Sequence, residues 1–293
     1  MIENRNLLKR LLYFIVNSQI YIAVGSISII YASTVLLSTP FSLELGFIAF
    51  ASSFAIYNIN RRTDMEEDKI NTPHRLDFIR QYDMVLYVSI IFYIVALLLS
   101  FFIDYRIFLL LLAPILIGVT YSYGGIPKPI QEAIGYRRLK EIPLIKNFVV
   151  SIVWALPPLI VAFYYALEPD ALVLSVMIYV FLRIFMGCVA FDIRDVRGDD
   201  ANNIKTIPVL FGVRASQILL YTLNTLSALF LFFVLTYFNF PPQAHVINLA
   251  TIYAYYYIYR LGKDGRSLLP LCDFVVDGEY LLIGVLAWLS TLA

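Results

Sequence analysis

The sequence predicts an all-α polytopic membrane protein, nine transmembrane helices in a single domain spanning residues 1–293. Three observations lead there. Of 293 residues, 60% are hydrophobic and 15% charged, and the mean hydropathy is +0.78. A soluble domain needs a largely polar shell, so this composition calls for lipid as the outer solvent. Second, residues 84–103, 107–127 and 147–167 contain no Asp, Glu, Lys or Arg, and each is close to the ~20 residues that cross hydrocarbon as a helix. Third, the basic residues alternate between loops. Of 22 Lys and Arg, three precede the first span, five fall in 61–80, five in 128–146, four in 194–214 and three in 260–266.

Taken in order, a first span covers about 11–37 and ends at "STP" (38–40), and a second covers about 45–60. The three uncharged runs follow. A sixth span at 171–191 carries one Arg. Residues 215–259 are uncharged but are split by "NFPPQ" (239–243) into two spans. The last span, about 274–293, holds Asp277 and Glu279 in its first turns. Lipid leaves no backbone group unpaired, so these segments are helices rather than open sheet. The first span is too long for a cleaved signal peptide and lacks a small-residue cleavage site. By the positive-inside rule the Lys/Arg-rich loops are cytoplasmic, which puts the N-terminus inside and the C-terminus outside an integral, multi-pass protein of the cell membrane. Cys188 and Cys272 lie in or near spans and suggest neither a disulfide nor a metal pair. A net charge of +1 gives no reason to expect a nucleic-acid partner.

The outer loops are short, and the inner loops hold nearly all the polar residues, so the working face is expected to be cytoplasmic. Two inner segments resemble each other. "NRRTDMEED" supplies Asn60, Asp64 and Asp68 at the end of the second span, and "DIRDVRGDD" supplies Asp192, Asp195 and Asp199 at the end of the sixth. At about 100° per residue, both spacings place three side chains on one helical stripe. The stripes suit a parallel repeat facing across a cavity. Acids at helix ends are ordinary solvated charges in many proteins, and Glu66, Glu67 and Asp200 fit that description. Stripes fit it less well. Carboxylates at a helix C-terminus oppose the macrodipole, and like charges on one face repel unless a cation lies between them. Oxygen-only ligands suit a hard ion such as Mg²⁺, which also binds phosphate oxygens. Arg138, Lys140 and Lys146 follow the Gly-rich inner loop "YSYGGIPKP". Beside a bound metal they are placed to hold a diphosphate; alternatively they are simple positive-inside charge.

At these residues the chain resembles the UbiA superfamily of intramembrane prenyltransferases. The resemblance covers nearly the whole chain and rests on NxxxDxxxD at Asn60–Asp68, DxxDxxxD at Asp192–Asp199 and YxxxK at Tyr136–Lys140, with "KINTPHR", "RLKEIPLIKN" and "IKTIPVLFG" as flanking pieces. It implies nine helices ringed around a central cavity under a cytoplasmic cap of inner loops. It further implies two Mg²⁺ ions gripping the diphosphate of an isoprenyl donor, with the tail in the barrel and a lipophilic acceptor entering from the bilayer. One position departs from the pattern. Many members carry an acid after the Asn, and this chain has Arg61.

The expected chemistry is ionisation of an allylic diphosphate. Metal ions on Asp64, Asp68, Asp195 and Asp199 stabilise the leaving group, assisted by Arg138, Lys140 and Lys146. Asn60 is a neutral ligand to metal or diphosphate, and Asp192 completes the second site or acts from its edge. Tyr136 and Tyr121 are the aromatic candidates for walling the carbocation. Asn17 and Gln19 either line the cavity or hydrogen-bond neighbouring helices. Arg183 should face the bundle interior or snorkel, outside the metal site. With only His74 and His245 in the chain, histidine chemistry is not expected. Two other classes were weighed. A cation transporter should keep its carboxylates at mid-membrane on broken helices. A CDP-alcohol phosphotransferase should read DGxxAR, which "KDGRSLL" does not match. The acceptor is expected to be an aromatic quinone precursor, with a glycerol-phosphate ether lipid as the alternative.

Overall fold

The computed structural model describes residues 2–63, 65–122, 132, 142, 144–262 and 268–292, with the backbone alone for 2–6, 8, 9, 66, 67, 74 and 119–122. Every regular element among them is helical. α1 (Ile2–Asn17) and α2 (Ile20–Leu36) are followed by α3 (Leu43–Thr63), the short α4 (Met65–Asn71) and α5 (Pro73–Gln81). Then come α6 (Met84–Ile103), α7 (Tyr105–Ser122), α8 (Ile145–Trp154), α9 (Pro157–Tyr164), and the long α10 (Ala171–Ala201) and α11 (Ile207–Tyr237). A 3₁₀ segment (Pro242–Leu249) leads into α12 (Ala250–Leu261), and a π-helical turn (Leu271–Val276) into α13 (Gly278–Leu289).

Four described stretches are long and apolar enough to cross a membrane: 84–103, 145–164, 171–201 and 207–237. The bent pair 10–17 and 20–36 makes a fifth if it counts as one span. The other expected spans are α3, whose last turn carries Arg61 and Arg62, the shorter α7, and the two C-terminal helices preceded by 3₁₀ and π turns.

The expected first span, about 11–37, is not one straight helix. The axis turns by 63° between Asn17 and Ile20, with Gln19 in the left-handed region at φ 70°. Arg61 on α3 donates to the Asn17 carbonyl freed by this break, and Asn58 donates to the Ser18 carbonyl at 3.0 Å. The fifth span breaks at Ala155, because Pro157 and Pro158 cannot supply the N–H groups that would continue it. Gly212 (φ 83°) marks a similar break near the start of α11. At the turn between α6 and α7 Asp104 caps α7, accepting from the Arg106 backbone N–H at 2.7 Å and from its guanidinium. The guanidinium contact holds the Asp104 carboxyl below its usual range.

One large apolar cluster joins α2, α3, α6, α7, α9, α10 and α13, and a second joins α10, α11 and α12 toward the other flank. Outward faces carry large apolar side chains, with Phe102 82%, Met84 71% and Leu116 68% exposed. Water would not tolerate an apolar surface of that extent, and lipid does. Inside the bundle Arg183 is 1% exposed and pairs with Glu279, while Asn224 (2.7 Å) and Ser227 (3.0 Å) accept from its Nη1. Tyr257 donates to the other Glu279 oxygen at 2.7 Å. Glu279 on α13 is thus paired with the arginine of α10. Two buried charges satisfy each other inside the bundle, where neither can reach water.

Candidate functional site

Helix α10 runs unbroken through Ala201, so Asp192, Asp195 and Asp199 share one stripe as their spacing predicts. Of the first stripe, Asn60 lies on α3 and Asp68 on α4, with Asp64 between these helices outside the described residues. Asp68 is held by its own turn. Its carboxylate accepts from the Thr72 hydroxyl at 2.6 Å, and its backbone carbonyl accepts from the Thr72 N–H at 2.9 Å. α4 packs closely on α10 at Gly198, whose N–H donates to Asn71 Oδ1 at 2.9 Å, and a Cβ at Gly198 would overlap the Asn71 amide. The missing side chain therefore lets the two acidic segments approach.

These elements enclose a polar cavity lined by Asn60 and Asp68 from one side and by Asp192, Asp195 and Asp199 from the other. Lys146 at the start of α8 reaches into it. Its ammonium lies 2.9 Å from Asp192 Oδ1 and 3.4 Å from Asp199 Oδ2. Asp192, 1% exposed, also accepts from Asn147 Nδ2 at 2.7 Å. Arg194 grips both oxygens of Asp195, at 2.7 and 2.6 Å, and donates to Asp273 at 2.7 Å. Arg75 donates to the same Asp273 oxygen at 2.9 Å and lies 3.7 Å from Asp68. Its Nε–H is buried and has no hydrogen-bond partner among the described residues. Asp277 and Arg61 complete the charged lining. Among the described residues, six acids thus face four cations around one space.

A second, mainly apolar cavity adjoins the first. Tyr57, Asn60 and Val150 line both. Trp154 belongs to the apolar wall and Tyr280 to the polar one, their ring centroids 5.5 Å apart, and Tyr57 meets Trp154 edge-on at 6.0 Å. Aromatic faces therefore flank the junction of the charged and apolar spaces.

Of the residues singled out in the sequence, Asn60, Asp68, Asp192, Asp195, Asp199 and Lys146 come together at the polar cavity. Asp64, Tyr136, Arg138 and Lys140 lie outside the described residues, as does the side chain of Tyr121. Asn17 lines neither cavity. It sits at the α1–α2 break, where its Nδ2 donates to the Tyr13 carbonyl at 2.8 Å, and its neighbour Gln19 faces the polar cavity instead. Sequence reasoning missed Arg75, Arg194, Asp273 and the aromatic trio. Asp273 and Asp277, four positions apart, carried the same stripe signal as the two motifs.

The donor set fits a hard divalent cation, being all oxygen and drawn from two opposed segments. Lys146 between Asp192 and Asp199 shows that these acids already hold a positive charge. Among the described residues, however, no three carboxylates, imidazoles or thiols converge on one point.

The sequence profile of the UbiA prenyltransferase family matches residues 20–269. No curated protein matches the chain by sequence. Among solved structures, the chain is similar to one described for digeranylgeranylglyceryl phosphate synthase in membranes, at 18% identity and TM-score 0.58, covering 96% of this chain and 97% of that one. It is also similar to a UbiA homolog from Archaeoglobus fulgidus. The form bound to GPP and Mg²⁺ gives 16% identity and TM-score 0.63 over 94% of this chain and 98% of that one. The form bound to DMAPP and Mg²⁺ gives 16% and 0.61 over 96% and 99%. At such identities these neighbours establish a shared fold.

Proposed function

The chain belongs to the UbiA prenyltransferase family, an integral membrane prenyltransferase, and from that premise we propose that it moves an isoprenyl chain from an allylic diphosphate to a lipophilic acceptor, with Mg²⁺ held at the carboxylate cavity. The observation that carries this reading is the adjacency of two unlike spaces, a charged one lined by both acidic motifs and an apolar one entered past Tyr57 and Asn60.

Asp68, Asp195 and Asp199, with Asp64, would hold the metal, two ions by the pattern of the motifs; Asn60 and Asp192 add oxygen donors. Bound Mg²⁺ supplies the positive charge that neutralises a departing diphosphate. Lys146 and the Arg75 Nε–H donate to phosphate oxygens, and Arg61 adds positive charge where an acid is frequent in the family. The allylic C–O bond breaks with both electrons on the diphosphate. The cation at C1 then faces Tyr57 and its aromatic neighbours, whose ring faces are electron-rich. The acceptor's electron pair forms the new bond to C1, and the acceptor loses a proton. Apolar walls keep water from capturing the cation first.

In this reading nine membrane-crossing elements ring the two cavities beneath a cytoplasmic cap, with the N-terminus inside and the C-terminus outside; the Lys/Arg distribution supports that orientation. The Archaeoglobus fulgidus neighbour bound to GPP or DMAPP with Mg²⁺ supports the donor class. An aromatic quinone precursor is the acceptor suggested by the sequence, and the digeranylgeranylglyceryl phosphate synthase neighbour favours a glycerol-phosphate ether lipid instead. A transporter would want carboxylates on broken helices at mid-membrane, whereas Asp192, Asp195 and Asp199 occupy the unbroken end of α10.

The test uses purified protein, labelled allylic diphosphates, Mg²⁺ and both acceptor classes. Wild type should release diphosphate only with Mg²⁺, and Asp195→Asn or Asp64→Asn should abolish release while eluting as folded protein from size exclusion. Undiminished turnover in those variants would falsify the metal assignment.

A further inference from the structure

Resting on that reading, we propose that the apolar cavity selects a donor of three to four isoprene units, with Ile30, Ile48, Leu111 and Ile160 forming the floor that sets its length. The cavity follows one face of α3, where Ile48, Ser52, Ile56 and Asn60 recur every fourth residue. Its axis therefore runs along that helix. Twelve positions separate Asn60 at the mouth from Ile48, which at ~1.5 Å per residue is about 18 Å. Each isoprene unit adds four chain bonds of roughly 1.5 Å, about 5 Å when laid out as a zigzag. A tail of three to four units fills that depth.

The lower end is closed. Ile30 and Ile48 are 0% exposed, Leu111 3% and Ile160 7%, and all four belong to the same packed cluster. The Tyr93 hydroxyl donates to the Leu111 carbonyl and ties α7 to α6. Three serines line the walls, Ser26, Ser52 and Ser53. Ser52 donates to the Ile48 carbonyl at 2.7 Å and Ser26 to the Ala23 carbonyl at 2.7 Å, so those two hydroxyls are spent on their own helices. Shorter tails leave wall atoms without partners, and longer ones must displace close-packed core.

The experiment measures kcat/KM for Mg²⁺-dependent diphosphate release, together with equilibrium binding, for dimethylallyl, geranyl, farnesyl, geranylgeranyl and nine-unit diphosphates. The purified full chain in nanodiscs is used. Farnesyl or geranylgeranyl should be best, with one-unit and nine-unit donors lower by about tenfold or more, the discrimination a shaped apolar pocket supplies. Ser52→Phe adds bulk at a half-buried wall position about 12 Å below the mouth. It should move the optimum to geranyl and cut the four-unit donor by about tenfold. Ile48→Ala lowers the floor and should improve a five-unit donor relative to the four-unit one. A flat length profile, an optimum at one unit or at nine, or an unchanged profile in Ser52→Phe would overturn the proposal while leaving prenyl transfer intact. Failure of every donor to bind or react would instead overturn the proposed function on which it rests.

Discussion

Arg183 and Glu279 meet inside the bundle with 1% of each side chain exposed. Removing one partner strands the other charge, a loss of roughly 3–5 kcal/mol, whereas replacing both with apolar groups can be close to neutral. Arg183→Met is therefore expected to lower the detergent thermal midpoint markedly, and Arg183→Met with Glu279→Leu to recover most of it. Equal loss in single and double variants would show that the Asn224, Ser227 and Tyr257 hydrogen bonds, rather than the charge pair, hold this point. At the polar cavity the same rule explains why each described motif acid has a cationic neighbour. Lys146 serves Asp192 and Asp199, Arg194 serves Asp195, and Arg75 approaches Asp68. The sequence marked the acids through their spacing. Their partners were hidden because Arg75 and Arg194 differ in no local pattern from ordinary cytoplasmic-face arginines.

Helices α4 and α10 meet through a single absent side chain. At Gly198 a Cβ would overlap the Asn71 amide, so the approach of Asp68 toward Asp195 and Asp199 depends on that glycine. Gly198→Ala should push α4 outward and reduce kcat/KM well beyond any change in thermal midpoint. Adding Asn71→Ala removes the overlapping amide, at the loss of its hydrogen bond to Gly198 N–H, and should restore part of the activity. If the double variant is no better than Gly198→Ala, close approach is not what that glycine provides. On α10 the helix runs through Asp192, Asp195 and Asp199 without interruption, and there the spacing described the structure correctly.

Across the whole molecule, exposed apolar faces and the loop charges together define how the chain sits in lipid. Cysteines introduced for Glu168 and for Asp200, both exposed and at opposite ends of α10, test the orientation in a background with Cys188 and Cys272 replaced by Ser. A membrane-impermeant maleimide applied to intact cells should label Glu168→Cys and spare Asp200→Cys; the reverse pattern would invert the topology. Composition, uncharged run lengths and motif spacing were enough to indicate a helical membrane protein, its family and four acids that line the polar cavity, because all three are local or summed properties of the chain. Tertiary structure decided the rest: the bend at Gln19 that exposes the Asn17 carbonyl to Arg61, the meeting of Asp273 with Arg75 and Arg194, and the apolar cavity lined by Ile30, Ile48, Leu111 and Ile160. Each of these depends on which face a helix turns toward neighbours far away in sequence, and a 3.6-residue period leaves that rotation unspecified until the helices pack.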